Sequence, residues 1–175
     1  MSVDEELQEH AQHARNPFDK RVAATMAIIA ATLAVVSVLG HVCTTEEIVL
    51  QQRAADQWAF GQAKDIRRYA SELALDLLAA VPGVNAPATV EKYRSNRDRY
   101  ERETNENRKL AREFEKERDR RHTQAVRLHL GGVFLEIGIV LASIAILTKR
   151  PHFWWASIAC SCAGLIGAIT AAAIR

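Results

Sequence analysis

Three apolar runs of bilayer-spanning length dominate this chain and leave few architectures open to it. Val22–Cys43 and Phe153–Ile174 contain no Lys, Arg, Asp or Glu, and Leu128–Thr148 contains a single acid, Glu136. A helix needs about 20 apolar residues to cross a hydrocarbon core of about 30 Å. In lipid every backbone polar group must be satisfied within its own segment, so runs of this kind are expected as helices. The mean hydropathy of the whole chain is only −0.11. That average hides a segregated sequence, in which the apolar runs alternate with a densely charged block from Thr44 to Ala125.

The first run reads as a retained anchor rather than a cleaved leader. A secretory signal has an apolar stretch of roughly 7–15 residues behind a basic start. Here a mixed acidic and basic tail precedes a longer run, and Leu39-Gly40-His41-Val42 before Cys43 is too bulky for a lipid-attachment cleavage site. The three cysteines are Cys43, Cys160 and Cys162. The last two stand two residues apart, point away from each other on a helix, and form no metal-binding spacing. They read as small packing residues.

The charged block holds 16 Lys/Arg and 15 Asp/Glu. Its one break is Pro82-Gly83-Val84-Asn85-Ala86-Pro87-Ala88, a density of Pro and Gly that ends one helix before the next begins. The flanks Glu46–Ala80 and Thr89–Thr123 are of equal length, about 52 Å each as helices. This predicts an antiparallel helical hairpin that returns to the membrane face it left. In the first arm Ile48, Gln52, Ala55, Ala59, Gln62, Ile66, Tyr69 and Leu73 recur at steps of four and three, with Leu77 and Ala80 beyond, which is a coiled-coil seam. In the second arm the rhythm runs through Val90, Tyr93, Arg97, Tyr100, Thr104, Asn107, Ala111, Phe114, Arg118, Arg121, Ala125 and Leu128. Pairs such as Asp98–Arg102 and Glu117–Arg121 would add a few tenths of a kcal/mol each. So polar a seam calls for other subunits to complete it. No breaker lies between Thr89 and Thr148, so the second arm is expected to run unbroken into the second span and couple it rigidly to the hairpin.

Within the spans the spacing is equally regular. Ala23, Ala27, Ala30, Ala34, Ser37 and His41 form a small-residue stripe on the first. Ser157, Ser161, Gly164, Ala168 and Ala171 form one on the third. Small stripes let membrane helices approach closely and predict helix packing within or between subunits. The second span instead carries His129, Gly132, Glu136, Ile139 and Ser143 on one face. His129 and Glu136 lie about 10.5 Å apart along the axis and cannot pair within one helix. An acid in mid-span costs roughly 2.5–3.5 kcal/mol on insertion scales. The candidate intramembrane polar path is therefore Glu136, His129, Ser143 and His41, set against a structural role in which Glu136 hydrogen-bonds neighbouring helices.

Trp154 and Trp155 beside Lys149-Arg150-Pro151-His152 read as interface anchors at a tight turn. Arg15, Lys20, Arg21, Lys149 and Arg150 favour an inside N-terminus and short turn. Arg108, Lys109, Arg112, Lys116, Arg118, Arg120, Arg121 and Arg127 pull the other way, or contact anionic lipid from the cytoplasm. Long loops count less than short ones, so the hairpin is expected outside the cytoplasm, on the periplasmic side. In the tail, Glu6, His10 and His13 would share a helical face as a weak metal constellation, but solvated charge is the simpler reading. No phosphate loop, nucleophile elbow or zinc-protease motif is present. Bases are interleaved with acids, which argues against nucleic-acid binding. No cofactor and no metal is implied.

The stretches Phe18-Asp19-Lys20-Arg21-Val22-Ala23-Ala24-Thr25-Met26-Ala27-Ile28-Ile29-Ala30-Ala31, Leu50-Gln51-Gln52-Arg53-Ala54-Ala55-Asp56-Gln57-Trp58 and Ile139-Val140-Leu141-Ala142-Ser143-Ile144 resemble a bacterial family known only as domain of unknown function 4337. The resemblance covers nearly the whole chain. It implies a bacterial inner-membrane protein and brings no activity, substrate or catalytic residue with it.

The expectation is an all-α membrane protein with three transmembrane helices and a long extramembrane coiled-coil hairpin. Its segments are a tail (1–21), first span (22–43), hairpin (44–125, turn near 82–88), second span (126–148), short turn (149–152) and third span (153–175). Function is expected to be that of a homo-oligomeric structural or interaction protein, with the lipid bilayer and copies of itself as partners and the hairpin as a candidate surface for a protein partner. The alternative is an ion-pathway subunit built on the polar face of the second span. A membrane enzyme is disfavoured, since no nucleophile–base cluster is visible.

Overall fold

A computed structural model describes residues 17–81 and 86–174. Three helices account for nearly all of them: α1 (Pro17–Ala80), α2 (Pro87–Thr148) and α3 (Pro151–Ala172). No strand occurs among the described residues. Each helix opens on proline, whose fixed φ suits the first helical position and whose missing N–H would find no intrahelical partner there anyway. At the start of α2, Ala86 O accepts both Thr89 N–H and Val90 N–H at 3.0 Å. All three helices contain a window long and apolar enough to cross a membrane. The tail residues Glu6, His10 and His13, and residues 82–85 of the expected turn, lie outside the described residues.

The chain divides into two units, one formed by residues up to Thr44 together with Arg120–Arg175, the other by Thr45–Asp119. Both divisions fall inside helices, in α1 and in α2.

The first unit holds the apolar segments. One core cluster joins Ile29 and Val36 of α1, Leu128 and Leu135 of α2, and Ala168 and Ala171 of α3. A second joins Val22 with Ala142 and Ala145, against Phe18, Met26, Phe153 and Trp154. The turn between α2 and α3 is short because Lys149 takes a left-handed conformation (φ 54°) and Arg150 an extended one before Pro151. Such a C-terminal stop is usually made by glycine. Here the lysine ammonium pairs with Asp19 at the start of α1. Beside it, the Trp154 indole N–H donates to Thr25 Oγ1 at 3.2 Å, and the ring meets Phe18 edge-on. Just past the other end of α3, Gln124 Nε2 donates to Ile174 O at 2.9 Å.

In the second unit, residues 45–80 of α1 run antiparallel to 87–119 of α2. The contacts order this: Gln51 with Arg118 (2.6 Å), Trp58 with Glu115 (2.9 Å), Gly61 with Thr104 (3.4 Å) and Lys64 with Glu103. On α2 the stripe Val90, Tyr93, Arg97, Tyr100, Thr104, Asn107, Ala111, Phe114 and Arg118 is buried or half-buried throughout. On α1 the expected seam is not the one that packs here. Ile48, Gln52, Ala55, Ala59, Gln62, Ile66, Tyr69, Leu73, Leu77 and Ala80 are all exposed, and the inward positions are Leu50, Ala54, Gln57, Gly61, Lys64, Arg68, Ser71, Leu75 and Leu78. The reason is steric. The α2 stripe brings bulky Tyr, Phe and Arg side chains, and these interdigitate with a partner face whose central residues, Ala54, Gly61 and Ser71, are small. One intrahelical pair also differs: Asp98 receives both Nε and Nη2 of Arg97, rather than pairing with Arg102.

Candidate interaction surfaces

α2 presents its polar stripe towards α1 and past it. Gly132 lies where a Cβ would stand 3.7 Å from Leu33. Ser143 donates to Ile139 O at 3.1 Å and lies 3.5 Å from Met26 Sδ. His129 packs over Gly40, where a Cβ would come 3.4 Å from the imidazole. Its Nε2 is 3.3 Å from Thr44 Oγ1, and the Thr44 hydroxyl already donates to Gly40 O at 3.0 Å. The His41 and His129 rings meet edge to face with centroids 6.4 Å apart. Of the four candidate path residues, the fold thus brings two together, His41 and His129. Ser143 is two heptads, about 21 Å, further along α2. Glu136 stands between them, exposed, without a hydrogen bond or ion pair to any described residue.

The two small-residue stripes have opposite fates. Ser157, Ser161, Gly164, Ala168 and Ala171 of α3 are all buried against α2. Ser157 Oγ donates to Gly138 O at 2.7 Å, and Cys160 Sγ to Phe134 O at 3.3 Å. A Cβ on Gly131 would stand 2.7 Å from Gly164 O, and one on Gly164 2.6 Å from Gly131 O. Backbone thus meets backbone at this crossing. The stripe of α1, by contrast, is exposed along its whole length: Ala23, Ala27, Ala30, Ala34, Ser37 and His41.

Helical geometry says where that open stripe lies. The line Met26–Leu33–Gly40 faces α2, while Thr25 faces Trp154 of α3. At 100° per residue, Ala27, Ala30, Ala34 and Ser37 sit about 40–120° round from the first line, on the side away from Thr25. On α2, His129 and Glu136 sit about 50–70° round from the Gly132–Ile139 line, on the side away from Gly131 and Gly138, which face α3. Both sets flank one outer groove between α1 and α2, opposite α3, and the His41–His129 contact lies in it.

The second unit offers another open face. Ile48 and Ile66 are 63% exposed and Leu73 is 59% exposed, on the same stripe as Tyr69 and Leu77. Around it the charges are paired within the unit. Asp65 receives Arg108 and Arg68. The hydrogen bond from Lys64 holds the Glu103 carboxyl below its ordinary range, with further help from the charges of Lys64 and Arg99. Arg68 is opposed by burial yet is raised, because its hydrogen bond to Asp65 and the nearby Glu72 carboxylate outweigh it.

Among the described residues, no group of three His, Cys, Asp or Glu is placed to hold a metal ion. An open apolar groove between α1 and α3 is lined by Thr25, Ile29, Thr32, Leu135, Ser161 and Leu165, with Cys162 as its one titratable neighbour. Gly131 and Gly138, the partners of the α3 stripe, escape a reading that follows polar residues. Their signal is the small 3–4 rhythm Gly131, Leu135, Gly138, Ala142, Ala145 on the other side of α2.

Comparison with known proteins gives one match. A family described as "Domain of unknown function (DUF4337)" matches residues 18–174. No curated protein and no solved structure matches the chain.

Proposed function

The chain belongs to the DUF4337 family, which brings no activity with it, and from its open surfaces we propose that it is a membrane-anchored, self-assembling structural protein. Its three apolar helices cross the bacterial inner membrane. Its charged segments form a coiled-coil hairpin, on the periplasmic side, that assembles with other copies and presents a surface to protein partners. It is not an enzyme.

One observation carries this reading. The first arm has two heptad faces, and among the described residues only the one with Ala54, Gly61 and Ser71 is packed. The other, with Ile48, Ala55, Ala59, Ile66, Tyr69 and Leu73 apolar and Gln52 and Gln62 polar, is exposed. A contiguous apolar patch of this kind marks an interaction surface, and its heptad spacing suits another helix.

The test is the mass of the full chain in detergent and in membranes, wild type beside the double variant Ile66→Glu, Leu73→Glu. Burial of an aliphatic side chain is worth about 1.5–3 kcal/mol. The variant is therefore expected to weaken self-association at least about a hundredfold, with helix content retained. A monomeric wild type, or an assembly indifferent to both substitutions, overturns the reading.

A second reading has one observation in its favour: Glu136, His129 and His41 flank a common outer groove. If several copies turned that groove to a shared axis, the carboxylates would ring a cation path. Proteoliposomes carrying the wild type would then pass monovalent cations, and Glu136→Gln would lower or reselect the flux. Tight liposomes around a folded assembly exclude this reading.

A further inference from the structure

Glu136 is the one formal charge in the second apolar run, and its own unit leaves it unsatisfied. It faces the outer groove between α1 and α2, exposed, and no described residue bonds to it. Accepting that these helices cross a bilayer and that the chain self-assembles, as proposed above, such a group needs a partner from outside its own copy. Ionisable side chains at mid-span almost always face other protein rather than lipid.

Depth decides what that partner can be. Copies inserted in one membrane cross it in the same sense, so groups at one level in one copy meet groups at that level in the next. Glu136 lies between the Met26–Ser143 and Gly40–His129 contacts, beside the middle of the α1 stripe. The groove at that level offers Ala30 and Ala34, with Ala27 a turn to one side, which let a helix come close. The hydroxyl of Ser37 lies about one turn to the other side, nearer the Gly40–His129 contact, in the direction in which a side chain at Glu136 leans, towards the N-terminus of its own helix. The hydroxyls of Thr25, Thr32 and Thr44 donate to the carbonyl four residues earlier. Ser37 is exposed and bonds to no described residue. One unused donor and one unused acceptor thus stand on the two helices of one groove. A two-fold contact brings residue i against j and j against i, and so would satisfy both groups in both copies. The α3 stripe shows what such a spacing accepts in this chain: it is closed by a helix, with a serine hydroxyl bonding across the contact.

We propose that the outer groove between α1 and α2 is a docking face for a second copy of this chain, with Ser37 of each copy hydrogen-bonded to Glu136 of the other across packed alanines at 27, 30 and 34.

The test uses the full chain in membranes, in a background of Cys43→Ala, Cys160→Ser and Cys162→Ala. Single cysteines are placed at Ala30→Cys or Ala34→Cys in the groove, at Ala163→Cys on the exposed side of α3, and at Tyr69→Cys in the charged arm. A disulfide requires Cα atoms within about 7 Å, which small-residue packing provides. Oxidation is expected to give a disulfide dimer from the groove positions and little from Ala163→Cys. Glu136→Gln keeps a side-chain oxygen that can accept the Ser37 hydrogen bond and should preserve that yield. Glu136→Leu should weaken self-association about tenfold, equivalent to 1.4 kcal/mol. A dimer through Tyr69→Cys with none through the groove overturns this face and leaves self-assembly standing. Cross-linking at no position, from a monomeric chain, overturns both. A groove cysteine captured by a different protein, or equal yield at Ala163→Cys, overturns the second copy as occupant. Unchanged association in Glu136→Leu overturns the Ser37–Glu136 contact.

Discussion

Gly164→Val is expected to detach α3 from α2, while Ala163→Val beside it has almost no effect. At Gly164 a Cβ would stand 2.6 Å from Gly131 O, 2.9 Å from Phe134 Cβ and 3.2 Å from Leu135 N. Two of these are backbone atoms of a helix and cannot turn aside. The helices must move apart to relieve the overlap. Separation would also open the Ser157–Gly138 hydrogen bond, which is 2.7 Å long and buried, and the contacts of Ala168 and Ala171 in the core cluster. Overpacking of this kind costs about 1–3 kcal/mol, and more where backbone is involved. In the proposed bilayer setting, where no hydrophobic force acts between helices, close packing would hold α3 in place. Unfolding in mixed detergent–denaturant micelles measures the loss, and protease access to the α2–α3 turn checks it. Ala163 is exposed on the same helix, so the same β-branched change there controls for helix propensity. Equal stability of the two variants would show that the backbone crossing does not form.

The second large effect belongs to the charged unit. Ala111 is fully buried on the inward stripe of α2. Ala111→Leu forces three more heavy atoms into a face that works because its partners are small. The expected loss is about 1–3 kcal/mol, read as a lower thermal midpoint of the full chain. Gly61→Ala is the informative companion. The site also faces inward, yet its added Cβ would meet Asn107 Cβ at 3.7 Å, an ordinary contact. Glycine within a helix is about 1 kcal/mol worse than alanine, so Gly61→Ala should stabilise. Opposite signs from two small-to-larger changes on one packed interface separate a tight position from a merely close one. Two losses would mean that the helices approach more closely here than these contacts allow.

These sites show how far periodicity carries. The three apolar segments were legible from hydropathy alone, because desolvating some twenty residues leaves a helix as the only continuous answer. The short α2–α3 turn was legible too, from Lys149-Arg150-Pro151. The inward stripe of the second arm could be read residue by residue from Val90 to Arg118. The same rule applied to the first arm picked a real stripe that faces outwards. Ala54, Gly61, Lys64, Arg68 and Ser71 have no hydropathy contrast, so their face looks like ordinary solvated helix. It becomes the packed face only because the opposing side chains are large.

By itself, then, the sequence determined what each helix could bury: the long apolar windows, the heptad stripes and the place of Glu136 near the middle of an apolar window. Those properties are local, since they depend on residue type and on spacing along one helix. Only the tertiary structure decided which face meets which. Two small-residue stripes of the same spacing, Ala23 to Ser37 and Ser157 to Gly164, are indistinguishable as patterns. One is closed against Gly131 and Gly138, and the other lies open beside Glu136. A helix surface has several faces of comparable quality, and the choice among them belongs to the shape of the neighbour, which no stretch of one helix encodes.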